Sequence, residues 1–189
     1  MRPPFVLALS GGIGGAKLAL GLHRVLEPGA LTVVANTGDD FIHLGLHVSP
    51  DIDTILYTLG GLSDPDRGWG RRDETWNFMS ALAALGGEDW FALGDRDLAL
   101  HVERTRRLRA GQTLHEATEA LRSALGLRTR VIPMSSDPVR TRLRSDEGWL
   151  DFQDYFVRRR CEPVIREIAY EGAELARPEP SIITELQDR

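Results

Sequence analysis

Hydrophobic and polar positions in the first part of the chain form short apolar runs separated by polar turns. The apolar run Phe5–Leu9 predicts a buried strand. Apolar residues at helical spacing follow in Ala16–Leu26, and a Pro-Gly pair ends that helix. The β-branched run Leu31–Ala35 predicts a second strand. A strand, a helix and a second strand in this order form a βαβ unit, which predicts a parallel sheet.

The middle of the chain is predicted to be helical. Apolar residues recur at helical spacing in segments that begin near Ser49, Glu74, Leu93 and Thr113. Thr113 followed by Glu116 matches a capping box. Because no strand pattern separates these segments, the sequence predicts a helical insertion over residues 51–127.

The last third of the chain returns to strand patterns. Arg130–Pro133 predicts a third strand, and the alternation in Val139–Arg144 and Trp149–Phe152 predicts a β-hairpin. Val164–Tyr170 predicts one more strand, and Ser181–Leu186 begins a helix. The pattern as a whole predicts a single α/β domain with a Rossmann-like, three-layer parallel-sheet core, the helical insertion and a small β-hairpin.

Composition and charge narrow the classes of function. The 189 residues are 42% hydrophobic and 27% charged, which fits one globular domain with its own core. A net charge of −5 argues against nucleic acid as a partner, and no apolar stretch approaches the ~20 residues of a membrane helix. The single cysteine, Cys161, has no internal partner for a disulfide, which favours the cytoplasm.

Polar loops follow three of the predicted strands, at the edge where open parallel sheets bind ligands. These loops are Ser10–Gly15, Asn36–Asp40 and Ser135–Pro138. The glycine-rich first loop would present backbone N–H groups to a phosphate, with an ordinary tight turn as the alternative. It is not a Walker loop, because Ala16 and Leu18 replace the required glycine and hydroxyl residue, and Lys17 breaks the dinucleotide fingerprint.

Carboxylates cluster in sequence after the second predicted strand. They are Asp39, Asp40, Asp51 and Asp53. Next to a phosphate they would repel it unless a cation lay between, and hard divalent metals prefer such oxygen ligands. Asp51 and Asp53 point to different sides of a helix, so at most one of them binds metal directly. We expect a metal at Asp39 or Asp53, with Asp51 as a helix cap or dipole partner.

Other polar and aromatic residues leave alternatives open. Arg96 lies at a helix start between two carboxylates, where it would bind an anionic substrate or form a surface ion pair. Each of the four tryptophans, Trp69, Trp76, Trp90 and Trp149, would stack on a flat ring or pack in the core. Taken alone, these features favour a phosphate- or nucleotide-binding α/β enzyme without naming its substrate.

A series of motifs along essentially the whole chain resembles the 2-phospho-L-lactate transferase family. The motifs are Ser10–Lys17 (SGGIGGAK), Asn36–Asp40 (NTGDD), Ser49–Thr54 (SPDIDT), Asp66–Gly70 (DRGWG), Glu74–Trp76 (ETW), Leu93–Asp97 (LGDRD), Met134–Val139 (MSSDPV), and Phe152–Asp154 (FQD) followed by Arg158–Arg160. Members of this family make the phosphodiester of the deazaflavin coenzyme F420.

The resemblance implies a specific reaction. The donor is a guanosine diphosphate derivative of lactate or enolpyruvate, and the acceptor is the ribityl hydroxyl of 7,8-didemethyl-8-hydroxy-5-deazariboflavin. That hydroxyl attacks the phosphorus that carries the acid, GMP leaves, and magnesium is the cofactor. A homodimer is the assembly that the resemblance suggests.

The resemblance also implies roles for individual residues. Transfer of a phosphate group requires that the two substrates be positioned and that the phosphate charge be neutralised. Asp39 and Asp53 would bind the metal, or Asp53 would orient the attacking hydroxyl, and Arg96 would face the acceptor or the developing charge. Trp69 and Trp76 would be walls for the tricyclic ring. The substrate-binding candidates are Gly11, Gly12, Gly14, Lys17, Asn36, Thr37, Asp53, Trp69, Trp76, Arg96 and Asp137. The catalytic candidates are Asp53, Asp39 and Arg96.

The family pattern continues beyond Arg189 with a Pro-Ser-Asn-Pro segment and further strands. We therefore expect residues 1–189 to be an incomplete domain that is less stable or more prone to aggregation than a longer relative.

A regulatory nucleotide- or sugar-nucleotide-binding protein of the gluconeogenesis-factor type is the alternative function. Such proteins share the glycine loop and the Asp-Asp corner. In them a Gly/Ser-rich stretch follows, whereas Phe41–Gly45 (FIHLG) follows here. A dehydrogenase is disfavoured by the broken dinucleotide fingerprint.

Overall fold

A three-stranded parallel sheet forms the centre of the protein, in a computed structural model that describes residues 5–187. In chain order the elements are β1 (Val6–Ser10), α1 (Gly12–Val25), β2 (Leu31–Ala35), β3 (Phe41–His43), β4 (Leu46–Val48), α2 (Pro50–Leu59), α3 (Asn77–Ala84), α4 (Asp95–Arg109), α5 (Leu114–Ala124), β5 (Arg130–Pro133), β6 (Arg140–Ser145), β7 (Gly148–Asp151), a π-helical turn (Asp154–Arg158), β8 (Ile165–Glu171) and α6 (Pro180–Gln187).

The parallel sheet has the order β1-β2-β5, which confirms the predicted βαβ unit. The middle strand β2 is buried along its whole length. Its alternate residues face opposite layers, as the two-residue period of a strand requires. Leu31, Val33 and Ala35 pack in the larger core, and Val34 packs in the smaller one.

Helices cover both faces of this sheet, so the predicted α/β architecture is confirmed. The larger core contains Ala16 of α1, Ile55 of α2 and Leu121 of α5. On the opposite face, Ile182 of α6 packs against Val34 and Ile132. Burial of these apolar side chains on both faces is what holds the three layers together.

The start of α1 lies very close to the end of β1. A methyl group on Gly15 would be 2.5 Å from Ser10 Oγ and 3.1 Å from Ser10 Cα, so only glycine fits there. Two residues that face the core, Ala16 and Ala19, are fully buried. Small residues on this side therefore let the helix approach the sheet closely.

The helical region agrees with the sequence in order and differs in detail. The capping box is confirmed, because Thr113 accepts from the Glu116 backbone and Glu116 accepts from the Thr113 backbone. Helix α3 begins at Asn77 rather than at Glu74. The reason is tertiary: Glu74 accepts the backbone N–H groups of Arg96 and Asp97, at 2.8 Å and 2.9 Å. Glu74 therefore caps the start of α4 and does not form part of α3.

A second hairpin, β3–β4, follows the Asn36–Asp40 loop, where the sequence patterns predict no strand. Its strands have three residues each, too few to show an alternating pattern. Leu44 and Gly45 form the turn, both with positive φ (51° and 73°), as a type I′ turn requires. Leucine is an uncommon residue for this conformation, so the usual hairpin signal is missing.

The predicted C-terminal hairpin is confirmed as β6–β7, and it belongs to a larger sheet. Strand β8 pairs with the other side of β6, giving an antiparallel sheet in the order β7-β6-β8. Within residues 5–187, none of the helices combines the length and the apolar character that a membrane crossing requires.

The close approach of α1 to β1 predicts opposite effects for two neighbouring glycines. Gly15→Ala should lower the free energy of unfolding by about 1–3 kcal/mol, because the added methyl group overlaps Ser10. Gly14→Ala is the matched control, since its added carbon meets no heavy atom within 4 Å outside its own helix. It should leave stability unchanged or raise it by about 0.5–1 kcal/mol. Urea unfolding measures both, and equal effects would contradict the packing described here.

Candidate active site

Asp51 joins the loops that follow β1 and β2 at the carboxyl edge of the parallel sheet. Its Oδ1 accepts from the Gly12 backbone N–H at 2.5 Å, and its Oδ2 accepts from Asn36 Nδ2 at 2.6 Å. Gly12 N–H is one of the free donors at the start of α1, where negative charge is favoured. Burial raises the pKa of Asp51, and these hydrogen bonds oppose the rise. Asp51 is thus a buried hydrogen-bond acceptor at the start of α1, although it belongs to α2.

The glycine loop is open on the side away from Asp51. Gly11 lies against Asn36, because a methyl group on Gly11 would be 3.4 Å from Asn36 Cβ. Gly14 has no heavy atom within 4 Å of the position of a Cβ, apart from its own helix, and Lys17 is exposed. An incoming anion would therefore meet the loop at Gly14 and Lys17.

Thr37 and Asp137, two predicted substrate-binding residues, belong to loops at this edge. Thr37 is buried, and among the described residues its Oγ1 has no hydrogen-bond partner. A buried hydroxyl in this state is a group that a ligand or an ordered water satisfies. Asp137, after β5, accepts the Arg177 backbone N–H at 2.8 Å, and its own N–H donates to Ser135 Oγ at 3.0 Å. Asp137 therefore shapes its own loop.

A cavity of about 320 Å³ lies between the Asn36–Asp40 loop and the antiparallel sheet. Its lining residues are Gly38, Asp39, Asp40, Phe41, Ile42, Trp90, Arg140, Thr141, Asp151, Phe152, Gln153 and Asp154. The wall thus combines three aromatic rings with four aspartate side chains, one guanidinium group and two uncharged polar side chains. The volume is at the lower end of the range of about 300–1,000 Å³ found for small-molecule sites. A flat, partly polar molecule suits these walls.

Asp39 contributes a carboxylate to the cavity, as the sequence led us to expect for a site residue. Burial raises its pKa, a hydrogen bond with Thr141 lowers it, and the nearby charge of Asp51 raises it again. Two carboxylates that destabilise each other in this way favour a cation between or beside them.

Asp40 is more deeply buried than Asp39 and has a different set of partners. Its Oδ2 accepts from Ser49 Oγ at 2.7 Å, while its buried Oδ1 has no hydrogen-bond partner among the described residues. Burial raises the pKa of Asp40 to about 8, although the Ser49 hydrogen bond and the charges of Arg104 and Arg140 oppose the rise. Asp40 therefore releases its proton less readily than an exposed carboxyl group, and Asp39 is the more accessible residue of the pair.

Asp53 lies on α2 beside this region but is engaged with another helix. Its side chain is buried, and both oxygens accept from the Arg104 guanidinium of α4, with Nη1 to Oδ2 at 3.0 Å. The charge of Asp53 contributes to the raised pKa of Asp40, which indicates that the two carboxylates are near each other. The partner that the structure gives Asp53 is a buried arginine.

Arg96 occupies the start of α4, where the sequence predicts it. Its backbone N–H donates to Glu74 Oε2, and its side chain is exposed. Glu74 also fills the space beside Gly94, where a methyl group would lie 2.3 Å from Glu74 Cδ. The position of Arg96 in the chain is therefore fixed by Glu74, while its guanidinium group is free to meet solvent.

Three of the four tryptophans lie in two aromatic environments. The Arg67 guanidinium lies 4.8 Å from the Trp76 ring centroid and 5.9 Å from that of Trp69, which are cation–π contacts. The cavity described above is walled by Trp90, with Phe41 at a centroid distance of 6.2 Å. The wall role of Trp69 and Trp76 thus stays a prediction, while Trp90 already lines a cavity.

The sequence indicated Trp90 only as one of four tryptophans that could stack on a flat ring, and it did not single out Arg140 or Thr141. Trp90 has the same local signal as the other three tryptophans, so nothing in the sequence separates it from them. Arg140 and Thr141 lie at the start of an ordinary alternating strand. The FQD motif at Phe152–Asp154 was the available signal for this wall, because all three of its residues line the cavity.

Known proteins resemble this chain over nearly all of its length. The family described as 2-phospho-L-lactate transferase CofD matches residues 6–189. The phosphoenolpyruvate transferase of Streptomyces avermitilis is 42% identical, with 97% of this chain and 59% of that protein covered. The phosphoenolpyruvate transferase of Mycolicibacterium smegmatis is 40% identical, with 97% and 61% covered. The chain therefore spans about three fifths of the length of these relatives.

Among solved structures, protein BH3568 of Bacillus halodurans, described as a member of the UPF0052 family, has the same fold. Its TM-score is 0.61 at 15% identity, with 97% of this chain and 55% of that chain covered. The motif series, the fold and the family match over residues 6–189 agree, and the chain belongs to the 2-phospho-L-lactate transferase CofD family.

Proposed function

We propose that this chain carries the site of a transferase of coenzyme F420 biosynthesis. It moves a phospholactyl or phosphoenolpyruvyl group from a guanosine diphosphate-linked donor to the ribityl hydroxyl of 7,8-didemethyl-8-hydroxy-5-deazariboflavin. A bond forms between the hydroxyl oxygen and the phosphorus that carries the acid, the bond from that phosphorus to GMP breaks, and the hydroxyl proton is released. The observation that carries the proposal is the aromatic and acidic cavity beside Asp39.

The cavity suits the acceptor. A tricyclic deazaflavin would stack against Trp90, Phe41 or Phe152, whose rings prefer flat partners. Arg140 and Gln153 would form hydrogen bonds with the ring heteroatoms. The ribityl chain would extend towards Asp39. This lining residue is close enough to Asp51, beside the glycine loop, for the charge of Asp51 to raise its pKa.

The open side of the glycine loop suits the donor. Because Asp51 occupies the Gly12 N–H, the diphosphate would approach along Gly14 and Lys17, where the lysine supplies positive charge. Gly11, Asn36, Thr37 and Asp137 would support the nucleotide from the neighbouring loops. Arg96 would face the acceptor or the charge that develops during transfer.

Magnesium fits the donor set of this corner. Asp39 offers hard oxygen ligands, and its mutual repulsion with Asp51 is what a divalent cation would relieve. Asp53 keeps acceptor capacity beside Arg104, because a carboxylate has about four lone-pair sites. We therefore propose Asp39 and Asp53 as the metal ligands, with Asp53 as the alternative group that orients the hydroxyl. When bound, the metal would neutralise charge on the diphosphate.

We propose that the partners of this chain are small-molecule substrates and a second copy of itself, without nucleic acid or a membrane. We also propose that it works in the cytoplasm. The relatives named phosphoenolpyruvate transferase favour this function over a regulatory nucleotide-binding protein of the gluconeogenesis-factor type.

Turnover by the chain tests the proposed reaction. Incubation with Mg²⁺, the deazaflavin acceptor and either guanylylated donor should release GMP and form the phosphodiester, both measured by chromatography. Removal of Mg²⁺ with a chelator should abolish the reaction, because the charges near the transferred phosphorus would then be unshielded. Nucleotide binding without GMP release from either donor would instead support the regulatory alternative.

Acceptor binding tests the cavity with a matched pair of tryptophans. Trp90→Ala should weaken acceptor binding about tenfold, since the ring loses an aromatic partner. Trp69→Ala removes the same side chain from the Arg67 cluster and should leave acceptor affinity unchanged. Fluorescence titration of the deazaflavin measures both. If only Trp69→Ala weakens binding, the ring lies where the sequence prediction put it and this cavity is not the acceptor site.

A further inference from the structure

Arg104 is a fully buried arginine on α4, with 0% of its surface exposed. Its two Nη groups donate to the two carboxylate oxygens of Asp53, and Nη1 also lies 3.4 Å from the His47 carbonyl oxygen. A planar guanidinium that binds both oxygens fixes the rotation of the carboxylate as well as its distance. Arg104 therefore determines how the Asp53 carboxylate is oriented.

The contacts of Arg104 continue along α4 towards its N-terminus. Nη1 lies 3.3 Å from His101 Nδ1, and His101 Nε2 lies 3.3 Å from Asp97 Oδ2. Tyr57 of α2 donates its hydroxyl to Asp97 Oδ1 at 2.5 Å. Polar side chains thus connect α2 to α4 at two places, through Asp53 at one and through Asp97 at the other.

The same contacts reach the helix start that presents Arg96. The backbone N–H groups of Arg96 and Asp97 both donate to Glu74. Asp97 is therefore held by Glu74 through its backbone and by Tyr57 and His101 through its side chain. One connected network sets the positions of Asp53 and of the residue next to Arg96.

The network has the composition of a metal site but already contains a cation. Asp53, Asp97 and His101 offer ligand atoms within 4.8 Å of one another. The Arg104 guanidinium, bonded to Asp53 and beside His101, supplies positive charge at this place. A buried charge without a partner is costly, so Arg104 and Asp53 hold each other in place.

We propose that Arg104 is a positioning residue of the transferase reaction: it holds Asp53 in the orientation in which that carboxylate serves the reacting groups. The proposal rests on the proposed function. Arg104 itself does not touch substrate, because it is wholly buried. Its effect is on the geometry of Asp53, relative to Asp40 and Asp39, and on the alignment of α2 with the start of α4.

Two variants separate geometry from charge. Arg104→Lys keeps a positive charge but offers a point charge in place of a planar fork. Arg104→Ala removes the group and leaves space that free guanidinium ion would fill. The matched control is Arg109→Ala on the same helix, because that exposed guanidinium donates to the Gly45 carbonyl oxygen at 2.9 Å and takes no part in the hydrogen bonds described above for Asp53, Asp97 and His101.

Steady-state kinetics, acceptor binding and folding should be measured together. For Arg104→Lys we expect kcat to fall about a hundredfold, the loss that a small misplacement of a reacting group produces. KM and acceptor affinity by fluorescence titration should be unchanged, and so should the near-UV circular dichroism. Guanidinium ion, at concentrations too low to unfold the protein, should restore turnover to Arg104→Ala, and methylammonium should not. Arg109→Ala should behave as the unaltered chain.

The other possible outcomes distinguish failure of the proposed function from failure of the role proposed for Arg104. No GMP release, either by the unaltered chain or by a chain extended to the length of its relatives, overturns the proposed function and this proposal with it. An active unaltered chain with normal kcat in Arg104→Lys overturns this proposal alone. If the lysine variant loses kcat, acceptor binding and folded protein in parallel, Arg104 is structural and the proposal fails. Should Arg104→Ala not fold, the lysine variant decides the matter by the same three measurements.

Discussion

Buried carboxylates on α2 need partners, and this requirement organises the region around the candidate site. Asp51 and Asp53 are two residues apart, so they leave the helix in different directions. Asp51 accepts hydrogen bonds from the glycine loop and from Asn36, while Asp53 pairs with Arg104 of α4. A charge removed from water is stable only when it is paired and hydrogen-bonded. Helix α2 therefore connects the loops of the parallel sheet, through Asp51, with helix α4, through Asp53.

The candidate site has two parts of different chemistry. The glycine loop, with Asp51 and the exposed Lys17, offers backbone donors, a buried carboxyl group and a positive charge, which suits a phosphate group. The neighbouring cavity contains aromatic rings and polar groups from the antiparallel sheet, which suits a flat ring. Asp39 belongs to the cavity wall and is coupled electrostatically to Asp51, so it lies where the two parts meet. The proposed transfer between two bound molecules would need such a meeting point.

The fold was largely predictable because its signals are local. Periods of two and of 3.6 residues mark β1, β2, β5 and the amphipathic α5, and the Thr113 capping box is complete within four residues. The hairpin β3–β4 was not predictable in this way, because its strands are short and a leucine occupies a left-handed turn position. Helix α3 starts late because Glu74 is bound to the backbone of α4, a partner about twenty residues away in sequence.

The sequence by itself determined the family, the order of the elements other than the hairpin β3–β4, and most of the candidate residues, since each is written in short stretches of neighbouring positions. The tertiary structure alone decided which partner each residue has. Asp51 meets Gly12 across 39 positions and Asp53 meets Arg104 across 51, and no local pattern encodes contacts at such separations. The same holds for the tryptophans: Trp76 packs on Arg67 and Trp90 lines the cavity, although both have equal apolar area to bury. Packing of distant elements, not the chemistry of the residue itself, selects between these environments.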